Sequence, residues 1–352
     1  MWTIAGIVLG VLVSAAVIFA RNPQKNSEKS AGGIIRQFMN PTVPSPTPLP
    51  FAELTIPYLR AREYTSQLGK REVAYNGAGY TAYLTSYQSD GLRVNGLLTE
   101  PTGERPANGW PAIVFIHGYI PPSIYTTQGQ YYDYVDYLAR NGFVVFKIDL
   151  RGHAESEGFP GGAYYSSDYI VDALNARAAL QSADFVNGNK IGLWGHSMAG
   201  NVVMRASAVR PEIPATVIWA GAVYTYFDMQ EYGIQDTSYR PPTDRNLQTQ
   251  RSNLRQKLFN THGTIASGGA FWKQFAPTDY IKDLQGAVQI HHAVNDDVVN
   301  IEYSRGLKKL LDKTTLPHEL IEYPSGGHNI SGAAFNEAMQ NTVVFFHKYL
   351  DN

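Results

Sequence analysis

Three side chains, far apart along the chain, have the types and the order needed for acyl transfer: Ser197, Asp296 and His328. Ser197 lies in Gly195-His-Ser-Met-Ala-Gly200, after the apolar run Lys190-Ile-Gly-Leu-Trp194 and before the helical-looking Asn201-Val-Val-Met-Arg-Ala-Ser-Ala-Val209. A strand, a tight turn and a helix in that order lift a hydroxyl off a sheet edge and point a helix N-terminus at the reacting centre. The N–H of Met198 is then placed to hold a developing oxyanion. Small residues at Gly195 and near Ala199 let strand and helix approach closely, with Ala199 standing where glycine is more usual. A chain with 32 glycines can carry such a hexamer by chance, so an acid, a base and a second oxyanion donor must be found elsewhere.

The acid is expected after a late strand. Ala287-Val-Gln-Ile-His-His-Ala293 reads as a buried strand, followed by Val294-Asn-Asp-Asp-Val-Val-Asn300. Catalytic groups of a parallel sheet come from loops at the carboxyl ends of its strands. Asp296 and Asp297 both qualify; Asp296 is preferred because Asp-x-x-Val lets Val299 anchor the loop. Asp297 or Asn300 suits the N-cap of a helix beginning near Ile301. The base is His328, which follows a strand (His318 to Tyr323) and the loop Pro324-Ser-Gly-Gly327.

The second donor is expected after Pro111-Ala-Ile-Val-Phe-Ile116, where His117-Gly118-Tyr119 follows. Gly118 allows a sharp turn that aims the N–H of Tyr119 at the spot served by Met198. His117 reads as a structural histidine at a strand end, and His291 and His292 fall inside a strand. Asp149 and Arg151, in Asp149-Leu-Arg-Gly-His153, read as scaffold that braces neighbouring loops through charged hydrogen bonds. No His, Asp or Glu spacing resembles a metal site, and the chemistry requires no cofactor.

The order Ser, Asp, His is that of the α/β-hydrolases. More narrowly, the chain resembles the catalytic domain of the prolyl oligopeptidase family of serine peptidases. The resemblance rests on Ser89-Asp-Gly-Leu-Arg-Val-Asn-Gly-Leu-Leu-Thr99, Phe115-Ile-His-Gly118, Asp149-Leu-Arg-Gly152, Gly195-His-Ser-Met-Ala-Gly200, Asn295-Asp-Asp-Val-Val299 and Gly326-Gly-His328. It implies Ser197 as nucleophile, Asp296 as acid and His328 as base, on a mostly parallel, doubly wound α/β sheet. Asn300 departs from the family's usual proline. Those peptidases also carry a large β-propeller ahead of the hydrolase domain, whereas only residues 1–88 precede the match here. A hydrolase domain without that gate is expected. Small hydrolases of the dienelactone type use a cysteine nucleophile, which a chain with Cys 0 excludes.

The remaining chain must position these groups. Its 352 residues include 29 Lys+Arg against 30 Asp+Glu, for a formal charge of −1 with no basic run, which disfavours nucleic acid as a partner. Residues 51–352 are read as the hydrolase domain. Thr81–Tyr87 alternates like an antiparallel strand paired with Leu92–Thr99. The long stretch between the strands Ala215–Ala220 and Ala287–Ala293 is read as a helical cap, at about 222–280, over the active site. Tyr125, on the segment after the oxyanion loop, and Trp272, in the cap, are candidate substrate-binding aromatics. A role as packing glue is weighed equally for each.

The N-terminus is read separately. Trp2–Ala20 is uncharged and mostly apolar, long enough for a bilayer span, so residues 1–22 are expected to be a membrane anchor or signal segment. Arg21, Lys25 and Lys29 would keep the following side cytoplasmic. Residues 23–50 are read as a linker, whose Pro41-Thr-Val-Pro-Ser-Pro-Thr-Pro-Leu-Pro50 suits an extended spacer holding an extracytoplasmic domain off a surface. The substrate expected is a small-molecule ester or a peptide. The resemblance favours the peptidase, and the missing propeller with the cap favours a carboxylesterase. A non-catalytic, membrane-tethered binding protein is the third reading. The oligomeric state is not legible in the sequence.

Overall fold

The structure, a computed structural model, describes residues 49–234, 245–265 and 269–351. The apolar segment 2–20 and nearly all of the linker lie outside the described residues. Among the described residues no helix is long and apolar enough to cross a membrane.

Among the described residues nine strands form one sheet: β1 (Glu72–Gly77), β2 (Tyr80–Ser89), β3 (Leu92–Pro101), β4 (Trp110–Ile116), β5 (Val144–Ile148), β6 (Val186–His196), β7 (Ala215–Trp219), β8 (Ala287–Ala293) and β9 (His318–Tyr323). Their spatial order is β1-β2-β3-β5-β4-β6-β7-β8-β9. The first three strands form an antiparallel meander joined antiparallel to β5; every pairing from β5 onward is parallel. The expected hairpin is present, with Ser86 opposite Asn95.

Helices cover both faces, as buried parallel strands require. Along β4 the side chains alternate: Ala112, Val114 and Ile116 join the core under α3 (Asp168–Gln181) and α4 (Met198–Val209). Ile113 and Phe115 join the core under α2 (Tyr132–Ala139) and α9 (Ala333–Leu350) on the opposite face. Period-two alternation is why a continuous apolar run here makes a strand with two dry faces. A helix α8 (Glu302–Leu311) completes the first face through Tyr303, Leu307 and Leu311. On that same side lies a short helix α1 (Ile56–Ala61), before the sheet begins.

Between β7 and β8 the described residues include the helices α5 (Tyr226–Tyr232), α6 (Arg245–His262) and α7 (Ala270–Phe275), where the sequence predicts a helical cap. The chain leaves β4 for β5 on one side and returns to β6 on the other. The loops after β4 and β6 therefore flank the point where strand order reverses, where ligands bind in open α/β sheets.

Candidate active site

Ser197 joins the end of β6 to the start of α4 with φ 56° and ψ −120°. A non-glycine residue in that region costs about 1–3 kcal/mol and persists only where its surroundings hold it. Here its N–H donates to the carbonyl of Trp219 at 2.8 Å and its carbonyl accepts from Gly200 N–H at 2.9 Å. A Cβ on Gly195 would lie 2.7 Å from the Ala199 carbonyl oxygen, and one on Gly200 would lie 2.7 Å from the Gly221 Cα. The second close approach thus falls at Gly200, which is why Ala199 is tolerated before it.

The loop after β4 lies against this turn. Gly118 is not in the left-handed region, so the expectation that its conformational freedom makes a sharp turn is corrected: what the site requires is space. A Cβ there would stand 2.9 Å from the Tyr131 Oη, 3.0 Å from the His196 Nδ1 and 3.1 Å from the Ser197 Cβ. The Gly118 N–H donates to Tyr131 Oη at 2.9 Å. Tyr119 and Met198 both reach the wall of the cavity that Ser197 lines, and the Met198 N–H, at the first turn of α4, has no intrahelical acceptor.

His328 follows Gly326 (φ 131°) and Gly327 (φ 60°), and its Nδ1 lies 2.9 Å from Asp296 Oδ2. Asn295 Oδ1 accepts from the Gly327 N–H at 3.0 Å and ties the two loops together. The Asp296 side chain is fully buried. Its Oδ1 accepts from the N–H groups of Val298 and Val299, each at 2.9 Å, and its Oδ2 accepts a second imidazole, His292 Nε2, at 3.1 Å. Burial alone would raise the Asp296 pKa. The hydrogen bonds from His292 and His328 outweigh burial and hold the carboxyl well below the usual carboxylate range. A carboxylate only accepts, so the proton of His328 sits on Nδ1 and Nε2 is left as a lone-pair acceptor. Asp297 is exposed, and Asn300 Oδ1 accepts from the Glu302 N–H at 2.9 Å at the start of α8. Val299 is buried and bonded to Asp296, as the Asp-x-x-Val spacing predicts.

Ser197, His328, Met198 and Tyr119 line one cavity of about 980 Å³, which Leu254 and Arg251 from α6 also line. Two expected substrate-binding residues lie elsewhere. Tyr125 is 3% exposed, stacks on His117 and donates to Asp149 Oδ1 at 2.9 Å. Trp272 is 4% exposed and packs among Tyr226, Phe259, Phe271 and Phe275, with its Nε1 donating to the Gly263 carbonyl. Both serve packing. Tyrosines that do line the cavity include Tyr131, Tyr134, Tyr164 and Tyr165.

The scaffold histidines behave as their places suggest. His117 is buried between the carbonyls of Gly118 and Asp149, and burial pushes its pKa down to about 3. Arg151 binds Asp172, Asp168 and Asp90, while Asp149 also accepts from Thr127 Oγ1 at 2.6 Å. His196 and His292 carry more of the site than sequence reasoning assigned them. The one signal for His196 is its place directly before the serine, and for His292 its spacing of four residues before Asp296. Among the described residues no cluster of His, Cys, Asp and Glu could hold a metal ion.

A family model described as serine aminopeptidase, S33, matches residues 110–238, which hold the Tyr119 loop and the Ser197 turn. The uncharacterized peptidase YtmA of Bacillus subtilis is 25% identical over 248 residues, 70% of this chain and 85% of that protein. An acetyl xylan esterase from Paenibacillus sp. R4 superposes with TM-score 0.58 at 16% identity, over 84% of this chain and 92% of that one. A puromycin-hydrolyzing peptidase of Mycobacterium tuberculosis superposes with TM-score 0.59 at 16% identity, over 79% of this chain and 41% of that one. The chain is a serine hydrolase of the α/β-hydrolase fold. It is similar to the catalytic domain of the prolyl oligopeptidase family, as the order of its motifs implies, and to esterases of the same fold.

Proposed function

We propose that Ser197 is the nucleophile of a hydrolase that cleaves small esters or short peptides through an acyl-enzyme. The observation that carries this is the Ser197 turn and the His328–Asp296 pair meeting at one cavity. His328 Nε2 takes the Ser197 proton as the oxygen attacks the substrate carbonyl. Asp296 keeps the imidazole in the required tautomer and stabilises the imidazolium. The N–H groups of Met198 and Tyr119 receive the oxyanion, where one such donor is worth about 3 kcal/mol. His328 then returns the proton to the leaving group, and the same cycle run with water frees the enzyme.

The peptidase reading is the first choice because the matching family model and YtmA are both named for peptidases. The carboxylesterase reading draws on a different observation: the cavity is walled largely by tyrosines and aliphatic side chains under the α6 helix, a surface suited to small apolar or aromatic acyl groups. A panel of p-nitrophenyl esters beside prolyl and alanyl peptide amides separates the two. Comparable rates on amide and ester establish the peptidase; turnover of esters alone establishes the esterase. The apolar segment 2–20 and the proline-rich spacer support a membrane-tethered, extracytoplasmic enzyme. Fractionation of cells expressing the full chain tests that, and protein found wholly in the soluble fraction would contradict it.

A further inference from the structure

Arg251 lies on the cavity wall and, among the described residues, is the only Arg or Lys side chain there. Its Nε and Nη2 both donate to one backbone acceptor, the Pro160 carbonyl, at 3.0 and 2.5 Å. Its guanidinium carbon lies 5.7 Å from the centre of the Tyr119 ring. Those are its partners; among the described residues no carboxylate pairs with it. A guanidinium has five N–H donors in a fixed fork that matches a carboxylate. Among the described residues one carbonyl leaves most of that fork without an acceptor, on a wall of tyrosines and aliphatic groups where Asp133 is the one carboxylate and forms no ion pair with Arg251. The guanidinium is partly buried, so an anion that meets it there forms a charge-assisted hydrogen bond at the cavity wall.

We propose that Arg251 recognises a carboxylate carried by the substrate, so that the enzyme prefers esters or amides bearing a negative charge near the scissile carbonyl. The position follows from the geometry. Arg251 lies beside the ring of Tyr119, the residue proposed to supply an oxyanion N–H, and both line the cavity that Ser197 lines. The Pro160 carbonyl and the Tyr119 ring hold the guanidinium in place before substrate arrives, which lowers the ordering cost of binding. The inference rests on the proposed reading of Ser197 and adds the charge of the substrate to it.

The charge can sit on the acyl group or on the leaving group, and two matched pairs distinguish these. One pair is p-nitrophenyl hemiadipate against p-nitrophenyl hexanoate; the other is 4-butyryloxybenzoate against its methyl ester. For each pair the ratio of kcat/KM, charged over neutral, is compared in the wild type and in Arg251→Met. In at least one pair the ratio should fall about 10–100-fold, chiefly through KM, as expected for a charge-assisted hydrogen bond. Arg251→Lys should recover part of it, since the charge returns without the fork. A change below about threefold in both pairs would overturn the proposal and leave Arg251 as a clamp between α6 and the Pro160 loop. The ratio cancels a general loss of folded enzyme, and a wild type whose turnover of the neutral esters survives Ser197→Ala would instead overturn the reading of the serine.

Discussion

His196 Nε2 lies 2.9 Å from the main-chain carbonyl of His328. A carbonyl only accepts, so the proton of His196 is on Nε2 and its Nδ1 is an acceptor. Burial and the neighbouring His328 push the His196 pKa down to about 3, which keeps the ring neutral. Tyr131 then donates its hydroxyl proton to Nδ1 at 2.6 Å, while its oxygen receives the Gly118 N–H. One unbranched chain of hydrogen bonds thus joins the base loop, the residue before the serine and the oxyanion loop.

Tyr131→Phe breaks that chain at its centre and leaves His196 Nδ1 and the Gly118 N–H without partners. We expect kcat to fall about tenfold or more, with stability lowered by about 1–3 kcal/mol. Steady-state kinetics on a neutral ester and urea unfolding measure the two. Unchanged kcat alongside lowered stability would make Tyr131 a packing residue only.

Asp296→Asn should leave the protein folded and cut kcat by about 10⁴, because an amide in that place no longer holds the His328 tautomer. Asp297→Asn, at an exposed position one residue on, should change kcat less than twofold. Equal losses in both variants would mean that the loop, and not the Asp296 carboxylate, is what matters.

The contrast between those aspartates marks what the sequence could and could not convey. The strand, turn and helix around Ser197 are encoded in contiguous residues, and so are the buried strands that carry the loops. The helical cap follows from the length of the stretch between β7 and β8. Hydrogen-bond partners set by the tertiary fold are different. Nothing near Tyr131 in the chain announces a bond to His196, 65 residues away. Tyr125 and Trp272 were candidate pocket residues because an aromatic ring serves a wall and a core alike; their polar atoms meet Asp149 and Gly263 inside the fold. Gly118 and Gly200 have their reasons in clashes with residues remote in sequence, which periodicity does not register.

Lys147 gives a pH signature. It is buried in β5, and its Nζ donates to the Gln130 carbonyl at 3.0 Å and to Tyr125 Oη at 3.3 Å. Burial pushes its pKa down to about 8, against about 10.4 for an unfolded lysine. Between those values the unfolded chain binds more protons than the folded one, so this residue makes stability rise with pH across that window. The free energy of unfolding of the wild type, relative to Lys147→Met, should therefore move in the wild type's favour from pH 8 to about 10.4. Urea unfolding of both proteins at each pH measures it; a difference that stays constant would show that the ammonium is not perturbed.

The central claim is that Ser197 is the nucleophile, activated by His328. Reaction with a fluorophosphonate followed by peptide mass mapping tests it most directly. One adduct is expected, on Ser197, absent from Ser197→Ala and formed much more slowly in His328→Ala. An adduct on another residue, or ester turnover at the wild-type rate in Ser197→Ala, would contradict it.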